Sequence, residues 1–248
     1  MIWSSMEKGT KSAVEYGLAF ETSSAIGSVA IGHGIEVLES RTLSRPKAHA
    51  IEFLPTIKAL CEAHQVEPFQ IERLYVSSGP GSFTGLRISV TAARMLAFGV
   101  RTKLVAVPTL EVIAQNALQA DPPPSRVAVI LDAKRGRVYV AAFTRQNGTF
   151  VATTDPIEAE PFEFLSSQPR DCAVLGEGVL YHRSAVEKSG RAILPESLYR
   201  PEAETVYRLG FAMSQRDGFS DRRNLVPTYI RPPEAEEVWA RKNPAGGC

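Results

Sequence analysis

The sequence predicts a mixed α/β protein built of two lobes, and three observations support this fold class. Strand-like apolar runs come first and are then interleaved with helix-like runs, which is typical of a mixed sheet flanked by helices. A proline-rich stretch, "ADPPPSR" at residues 120–126, follows, and its successive prolines prevent a helix from crossing it. Beyond this stretch the alternation of strands and helices starts again. We therefore predict a first lobe over residues 16–118 and a second lobe over residues 119–202.

The elements of the first lobe are predicted from hydrophobic periodicity and from the glycines that mark the turns between them. Strand-like runs are "YGLAF", "SVAIGHG", "IEVLESRTL", "IERLYVSS" and "KLVAVPT". Residues 47–64 have a helical period, and Pro55 should bend this helix or lie near its start. Two more helices are predicted over residues 86–98 and 110–118.

The second lobe is predicted to open with a hairpin formed by "VAVILDAK" and "GRVYVAAFT". The run "TFVATTDPIEAE", a helix over residues 162–166 and the run "CAVLGEG" follow. We expect residues 203–248, which begin with the helical run "AETVYRLGFAMSQR", to pack back toward the first lobe. Residues 1–15 show no such pattern and are predicted to be a disordered extension.

The composition of the chain limits its functions. Hydrophobic residues make up 44% of the 248 residues, as in an ordinary globular protein. The 28 basic and 27 acidic residues nearly cancel, so we expect any RNA contact to be local or to come through a partner. The 3 cysteines form no Cys-x-x-Cys pair, which argues against a disulfide framework or a zinc cluster. With no signal peptide or membrane-crossing run, the chain is predicted to be cytoplasmic and not membrane-bound.

A glycine loop, "SSGPGSFTG" at residues 77–85, lies between a predicted strand and a predicted helix. The Walker and dinucleotide patterns both fail here, because Thr84 stands where each requires glycine. Gly79 and Gly81 permit positive φ and close backbone approach, and Ser82 or Thr84 can cap the helix. The loop is therefore either a tight turn before a capped helix or a phosphate-binding turn.

The helix after this loop has two apolar stripes, whereas a surface helix needs one. The stripes are Leu86, Val90, Ala93 and Ala97, and Ile88, Ala92, Met95 and Gly99. A polar strip of Arg87, Thr91 and Arg94 separates them. We expect burial on two sides, the second side being covered by the other lobe or by another chain. On this interpretation, Ala93→Glu would break association without unfolding the chain.

The segment "GPGSFTGLRISVTAARMLAFG" closely resembles the defining motif of the TsaB (YeaZ) family. The resemblance extends through "LAFETSSAIGSVAI", "AHAIEFLPTIKAL", "LDAKRGRVYVAAF" and "PTYIR", and so covers residues 16–231. It implies a two-lobed fold of the actin, Hsp70 and sugar-kinase type. The glycine segment is specific to the family, whereas "PTYIR" alone is a weak signal.

The resemblance also implies a function. Such proteins are non-catalytic paralogues of TsaD, the subunit that transfers a threonylcarbamoyl group to the adenosine beside the anticodon of tRNAs reading ANN codons. They pair with TsaD through helices of the first lobe, work with the ATPase TsaE, and reach tRNA only through the complex. We expect no catalytic residue and no cofactor of the chain's own, with ATP or ADP bound at the level of the complex. Alone, the chain is expected to form a homodimer.

Two sets of residues follow from the resemblance. The partner interface is expected on two helices, at His49, Phe53, Leu54, Ile57, Arg87, Val90, Thr91, Arg94, Met95 and Phe98. Vestigial phosphate or nucleotide loops are expected at Glu21, Thr22, Ser23, Gly79, Gly81, Ser82 and Asp132.

The chain departs from the superfamily pattern at several positions. Glu21 stands where the first strand usually ends in Asp, and Lys134 replaces an arginine. Pro108 and Val112 occupy the positions of a metal-binding histidine pair in TsaD, and neither can ligate a metal. We therefore expect no metal site.

Other interpretations remain open. A nucleotide-binding ATPase or kinase-like enzyme could use Glu21, Thr22 and Ser23 against phosphate, and Glu21 with Asp132 could hold a cation. A metalloprotease is disfavoured by the absent histidine pair. Judged from its sequence context alone, His49 is interpreted as a partly buried, hydrogen-bonding histidine.

Overall fold

A computed structural model describes residues 15–46, 48–99, 102–221, 225–230 and 239, with only the backbone described at positions 98 and 99. The predicted extension over residues 1–15 lies outside the described residues except for Glu15, and so does most of the tail after residue 230.

The first lobe is built on a five-stranded mixed sheet. Its strands are β1 (Tyr16–Glu21), β2 (Ser28–His33), β3 (Glu36–Thr42), β4 (Ile71–Gly79) and β5 (Lys103–Pro108). They lie in the order β3-β2-β1-β4-β5. Neighbouring strands β1, β2 and β3 pair antiparallel, whereas β4 pairs parallel with both β1 and β5. The carboxyl ends of β1 and β4 therefore lie side by side at one edge of the sheet.

Two long helices, α1 (His49–Ala63) and α2 (Phe83–Gly99), cover one face of this sheet. Side chains alternate between the two faces of a strand, so every second side chain of each strand points into the core under these helices. Phe20 of β1 packs edge-on against Phe53 of α1, with their ring centroids 5.0 Å apart. A third helix, α3 (Thr109–Asn116), leads toward the second lobe.

The second lobe contains another mixed sheet. Its strands are β6 (Arg126–Lys134), β7 (Arg137–Gln146), β8 (Thr149–Ala152), β9 (Ile157–Ala159) and β10 (Cys172–Leu175). The predicted hairpin is confirmed, because β6 pairs antiparallel with β7. The order is β10-β6-β7-β8, with β9 also paired to β7, and β10 runs parallel to β6. This sheet and its helices enclose a separate apolar cluster.

The next three helices of the chain after β9 are short. They are α4 (Pro161–Ser167), α5 (Gly178–Tyr181) and α6 (Arg183–Lys188). The first was predicted, whereas α5 and α6 were not, because a segment of one or two turns carries too little periodicity to be recognised.

The last helix, α7 (Ala203–Arg216), lies on the face of the first sheet opposite α1 and α2. Tyr207 of α7 meets Tyr75 of β4 edge-on, with ring centroids 5.0 Å apart. Gly210 brings the helix close to this ring, since a Cβ at position 210 would lie 2.5 Å from Cδ1 of Tyr75. The first sheet is thereby covered on both faces.

These two mixed sheets with flanking helices are the two-lobed mixed α/β class that the sequence predicts. None of the described helices combines the length and the apolar composition that crossing a membrane requires.

The close approach of α7 to β4 makes Gly210→Ala destabilising, although alanine is the better helix former. The added methyl would overlap the buried root of the Tyr75 side chain, and overpacking costs about 1–3 kcal/mol. We expect a net fall in the free energy of unfolding, measured by urea denaturation. Gln215→Ala, at an exposed position of the same helix, should change it by less than about 0.5 kcal/mol. A stability equal to wild type for Gly210→Ala would contradict this packing.

Candidate partner-binding site

The glycine loop begins where β4 ends and is tied to the start of α3. The Gly79 N–H donates to Oγ1 of Thr109 at 3.1 Å, and the Ser77 and Thr109 hydroxyls are 2.8 Å apart. Gly79 has φ = +110°, a conformation that residues with a Cβ rarely adopt. The loop therefore requires glycine at this position.

The turn that follows β1 packs directly on the first turn of α2. The Ser82 N–H donates to the Ser23 carbonyl oxygen at 2.6 Å, and the Thr22 hydroxyl donates to the Gly85 carbonyl oxygen at 2.8 Å. A Cβ at position 85 would lie 1.8 Å from the Thr22 carbonyl oxygen. Gly85 is thus required because backbone meets backbone here, and no side chain fits between.

Ser82 acts as the predicted cap, and α2 begins at Phe83. The Ser82 side-chain oxygen accepts from the Gly85 N–H at 3.2 Å, and its carbonyl oxygen accepts from the Leu86 N–H at 2.9 Å. The N–H groups of Ser82, Gly85 and Leu86 are therefore satisfied by the chain itself. The Ser23 carbonyl oxygen thereby takes the Ser82 amide, one of the groups that a helix end would otherwise offer to an anion.

Glu21 lies beneath the turn and is fully buried. Its Oε1 accepts hydrogen bonds from the Ser23 N–H at 2.5 Å and from the Ser23 hydroxyl at 2.6 Å. Its Oε2 has no hydrogen-bond partner within the part of the chain that the structure describes. Burial raises the pKa of Glu21 above its ordinary value, since desolvation disfavours the charged carboxylate. Glu21 thus stabilises the turn after β1 through its hydrogen bonds to Ser23.

Asp132, the remaining residue of the predicted phosphate set, lies at the end of β6 in the second lobe. Its carboxylate accepts from Nζ of Lys134 at 2.6 Å and contacts Nε2 of His182 at 3.1 Å. Partial burial opposes ionisation, but these hydrogen bonds hold the pKa of Asp132 below its ordinary value. Each carboxylate is thus bonded to groups of its own lobe, Glu21 to Ser23 and Asp132 to Lys134 and His182.

The two lobes approach each other closely beside the Ser23 turn. A space of about 10 Å³ remains there, lined among others by Ser23, Ser24, Leu131 and Glu177. This is about the room that a single water molecule needs. Of the residues in the predicted phosphate set, Ser23 lines this space.

The outer faces of α1 and α2 form a groove of about 850 Å³ instead. We call it the α1–α2 groove. It is lined by His49, Ala50, Phe53, Leu54, Phe83, Thr84, Arg87, Ile88, Thr91, Ala92, Met95 and Leu96. Residues from both predicted interface helices thus meet in one concave surface.

Large apolar side chains are left exposed along this groove. Met95 is 71% exposed and Leu54 is 62% exposed. The Arg87 guanidinium lies 5.1 Å from the ring centroid of Phe83, which places a cation at one end of an otherwise apolar surface. Exposing a contiguous apolar surface to water costs free energy, and such surfaces are typical of protein-interaction sites.

The structure corrects part of the predicted interface. Phe53 is 1% exposed, Val90 is 4% exposed and Ile57 is 8% exposed, so these side chains belong to the core of the first lobe. They lie on the helix sides that face the sheet, and only Phe53 also reaches the floor of the groove. Leu54, Arg87, Thr91 and Met95, which were assigned to the interface, line the groove, and Arg94 is exposed.

Three further positions need comment. His49 is buried at the floor of the groove with its Nε2 unpartnered among the described residues, and burial lowers its pKa. Its Nε2 therefore makes no hydrogen bond of the kind expected of this histidine among the described residues. Ala93 is fully buried, so Ala93→Glu would place a charge in the core and is the wrong probe. The Phe98 side chain lies outside the described residues.

Sequence reasoning missed one groove residue of consequence. Phe83 is 39% exposed and forms the end of the groove that is nearest the glycine loop. A large aromatic residue directly after the helix cap was the signal that could have revealed it.

Comparison with known proteins identifies the family. The family model described as "TsaD: tRNA N6-adenosine threonylcarbamoyltransferase" matches residues 36–171, more than half of the chain. The chain belongs to the TsaD family, in its TsaB (YeaZ) branch. The resemblance inferred from the glycine segment is thereby confirmed.

Two TsaB relatives match this chain along almost their whole length. The tRNA threonylcarbamoyladenosine biosynthesis protein TsaB of Bacillus subtilis is 28% identical over 228 residues, which is 90% of this chain and 96% of the relative. Its Escherichia coli counterpart is 26% identical over 218 residues, which is 86% of this chain and 94% of that protein.

Solved YeaZ structures agree with this assignment. YeaZ from Pseudomonas aeruginosa superimposes with a TM-score of 0.75 at 26% identity, covering 87% of this chain and 99% of that one. Another structure from that organism, described as an uncharacterized protein with similarity to peptidase YeaZ, gives a TM-score of 0.76 at 26% identity and covers 88% of this chain and 100% of that one.

Within the described part of this chain, no group of three or more His, Cys, Asp or Glu residues could hold a metal ion.

The raised pKa of Glu21 predicts a specific pH dependence of stability. Above about pH 4.5, the unfolded chain loses the Glu21 proton while the folded chain retains it. The contribution of Glu21 is therefore complete below that pH and is lost as the pH rises through the folded pKa, with a slope of at most about 1.4 kcal/mol per pH unit. Relative to Glu21→Gln, wild type should lose stability as the pH rises above about 4.5, as measured by urea denaturation.

Glu187→Gln serves as the control for this series, because Glu187 is exposed and pairs with Arg183. This variant should follow the wild-type profile. Parallel profiles for wild type and Glu21→Gln would show that Glu21 is not held protonated in the fold.

Proposed function

We propose that this chain is a non-catalytic subunit in tRNA threonylcarbamoyladenosine biosynthesis and that it binds a TsaD-type catalytic subunit through the α1–α2 groove. The observation that carries the proposal is the groove itself, an open apolar surface between the two longest helices of the first lobe. The names of the TsaB relatives support the biosynthetic role.

The groove residues have the chemistry of a binding hot spot. Leu54 and Met95 project from facing helices, and burying each side chain fully would contribute about 1.5–3 kcal/mol. Arg87 and Arg94 supply exposed cations beside this apolar centre. Interfaces of this kind combine an apolar centre with a charged rim.

The occupant we propose is a helical face of the TsaD-type subunit. A groove between two helices accepts helices best, because their side-chain ridges fit into it. When that subunit is absent, a second copy of this chain would cover the same groove and form a homodimer.

The glycine loop supports the non-catalytic part of the proposal. The Ser82, Gly85 and Leu86 amides at the start of α2 are bonded within the chain, and the space beside Ser23 is about 10 Å³. We propose that the isolated chain binds no nucleotide and that ATP or ADP is bound only at the level of the complex. A TsaE-type ATPase would then act on the complex rather than on this chain alone.

The charge of the chain supports an indirect contact with tRNA. Its 28 basic and 27 acidic residues leave no general excess of positive charge. Since phosphate contacts dominate the affinity of nucleic-acid binding, tRNA would be held mainly by the other subunits.

Substituting Met95→Glu should weaken binding of the TsaD-type subunit by at least tenfold, or about 1.4 kcal/mol, because a charge would be buried in the apolar groove. Leu54→Glu, on the facing helix, should act in the same direction. Both residues are exposed in the isolated chain, so thermal unfolding should stay near wild type. Isothermal titration calorimetry measures the affinity.

Phe162→Glu is the matched control, because Phe162 is an exposed apolar residue of the second lobe. Its affinity should equal that of wild type. If Met95→Glu and Leu54→Glu bind as tightly as wild type, the partner does not use this groove. If wild type does not bind, the adaptor role itself fails.

A further inference from the structure

A short C-terminal segment crosses the first lobe and ends beside the glycine loop. We call residues 225–230 the C-terminal strap. Leu225 is 4% exposed and packs in the same apolar core as Val76 and Val90. The strap is therefore anchored in the first lobe at its start. The weak sequence motif "PTYIR" begins within it, at Pro227.

The strap bonds to the end of β4. The Thr228 N–H donates to the Ser78 carbonyl oxygen at 2.7 Å. A Cβ at position 79 would lie 2.7 Å from the Thr228 carbonyl oxygen, so the strap packs against the backbone of Gly79 itself. The glycine loop is thus held between the Ser23 turn and the strap.

The next residue of the strap reaches the groove. The ring of Tyr229 lies 5.3 Å from the ring of Phe83, centroid to centroid, with the planes inclined by 33°. The Arg87 guanidinium in turn lies over the ring of Phe83. Both Phe83 and Arg87 line the α1–α2 groove, so the strap is connected by ring contacts to one end of the proposed partner site.

We infer that Tyr229 is a positioning residue, through which the strap holds Phe83 and Arg87 in place at the end of the α1–α2 groove. This inference rests on the proposed function for its effect on partner binding. It gives the "PTYIR" motif a role that neither core packing nor the glycine loop explains. Ring contacts of this kind imply a two- to tenfold effect on affinity.

The test compares three variants with wild type, using the purified TsaD-type subunit as the probe in a calorimetric titration. Tyr229→Ala should weaken binding two- to tenfold. Tyr229→Phe should bind like wild type, because the ring is retained. Val226→Ala is the matched control, because Val226 is an exposed apolar residue of the same strap, and it should also bind like wild type.

A second measurement separates positioning from direct contact. Amide hydrogen exchange of residues 79–87 is recorded for each isolated variant, without the partner. Tyr229→Ala should speed this exchange, and Tyr229→Phe should not. Weaker binding with unchanged exchange would mean that Tyr229 touches the partner directly, which overturns the inference. Unchanged binding by Tyr229→Ala overturns it as well.

The outcomes remain distinct from those of the proposed function. If wild type does not bind the TsaD-type subunit, the proposed function fails, and exchange at residues 79–87 still decides whether the strap holds Phe83. If Tyr229→Ala does not fold, Tyr229→Leu, which keeps apolar bulk without the ring, takes its place with the same expected outcomes.

Discussion

The first lobe depends on one backbone contact, between the turn after β1 and the first turn of α2. The Ser23 carbonyl oxygen accepts from Ser82, and the Thr22 carbonyl lies where any side chain at Gly85 would have to be. This contact sets the point at which α2 leaves the sheet. Since α2 forms one wall of the α1–α2 groove, the shape of the groove follows from it.

The same contact gives this glycine-rich turn a different role from that of a phosphate-binding loop. In a phosphate-binding loop, the free amides at the helix start face the anion. Here the Ser82 and Gly85 amides donate to the chain's own carbonyl and hydroxyl oxygens, and buried Glu21 accepts hydrogen bonds from Ser23 in the turn. The glycines are retained because backbone approaches backbone. A loop whose sequence suggests nucleotide binding can therefore serve to position a helix.

Much of the fold could be predicted, because strands and long helices carry clear periodicity, whereas α5 and α6 are too short to show it. The site was predictable only in part. Two apolar stripes on α2 indicated two buried sides, but which stripe faces the sheet depends on where the helix is attached. Val90 proved to be core and Met95 to be exposed, although both are apolar residues of one helix. The contact of Tyr229 with Phe83 joins residues far apart in the chain, and no local pattern reveals it.

The most direct test of this account is a calorimetric titration of the isolated chain with ATP and magnesium, extended to millimolar nucleotide. Because the Ser82 and Gly85 amides at the helix start already donate within the chain, the account predicts no saturable binding of ATP, while the same preparation will bind the TsaD-type subunit. Saturable binding of ATP to the isolated chain at one site would contradict the account, because the loop would then have to release the Ser23 turn to admit a phosphate.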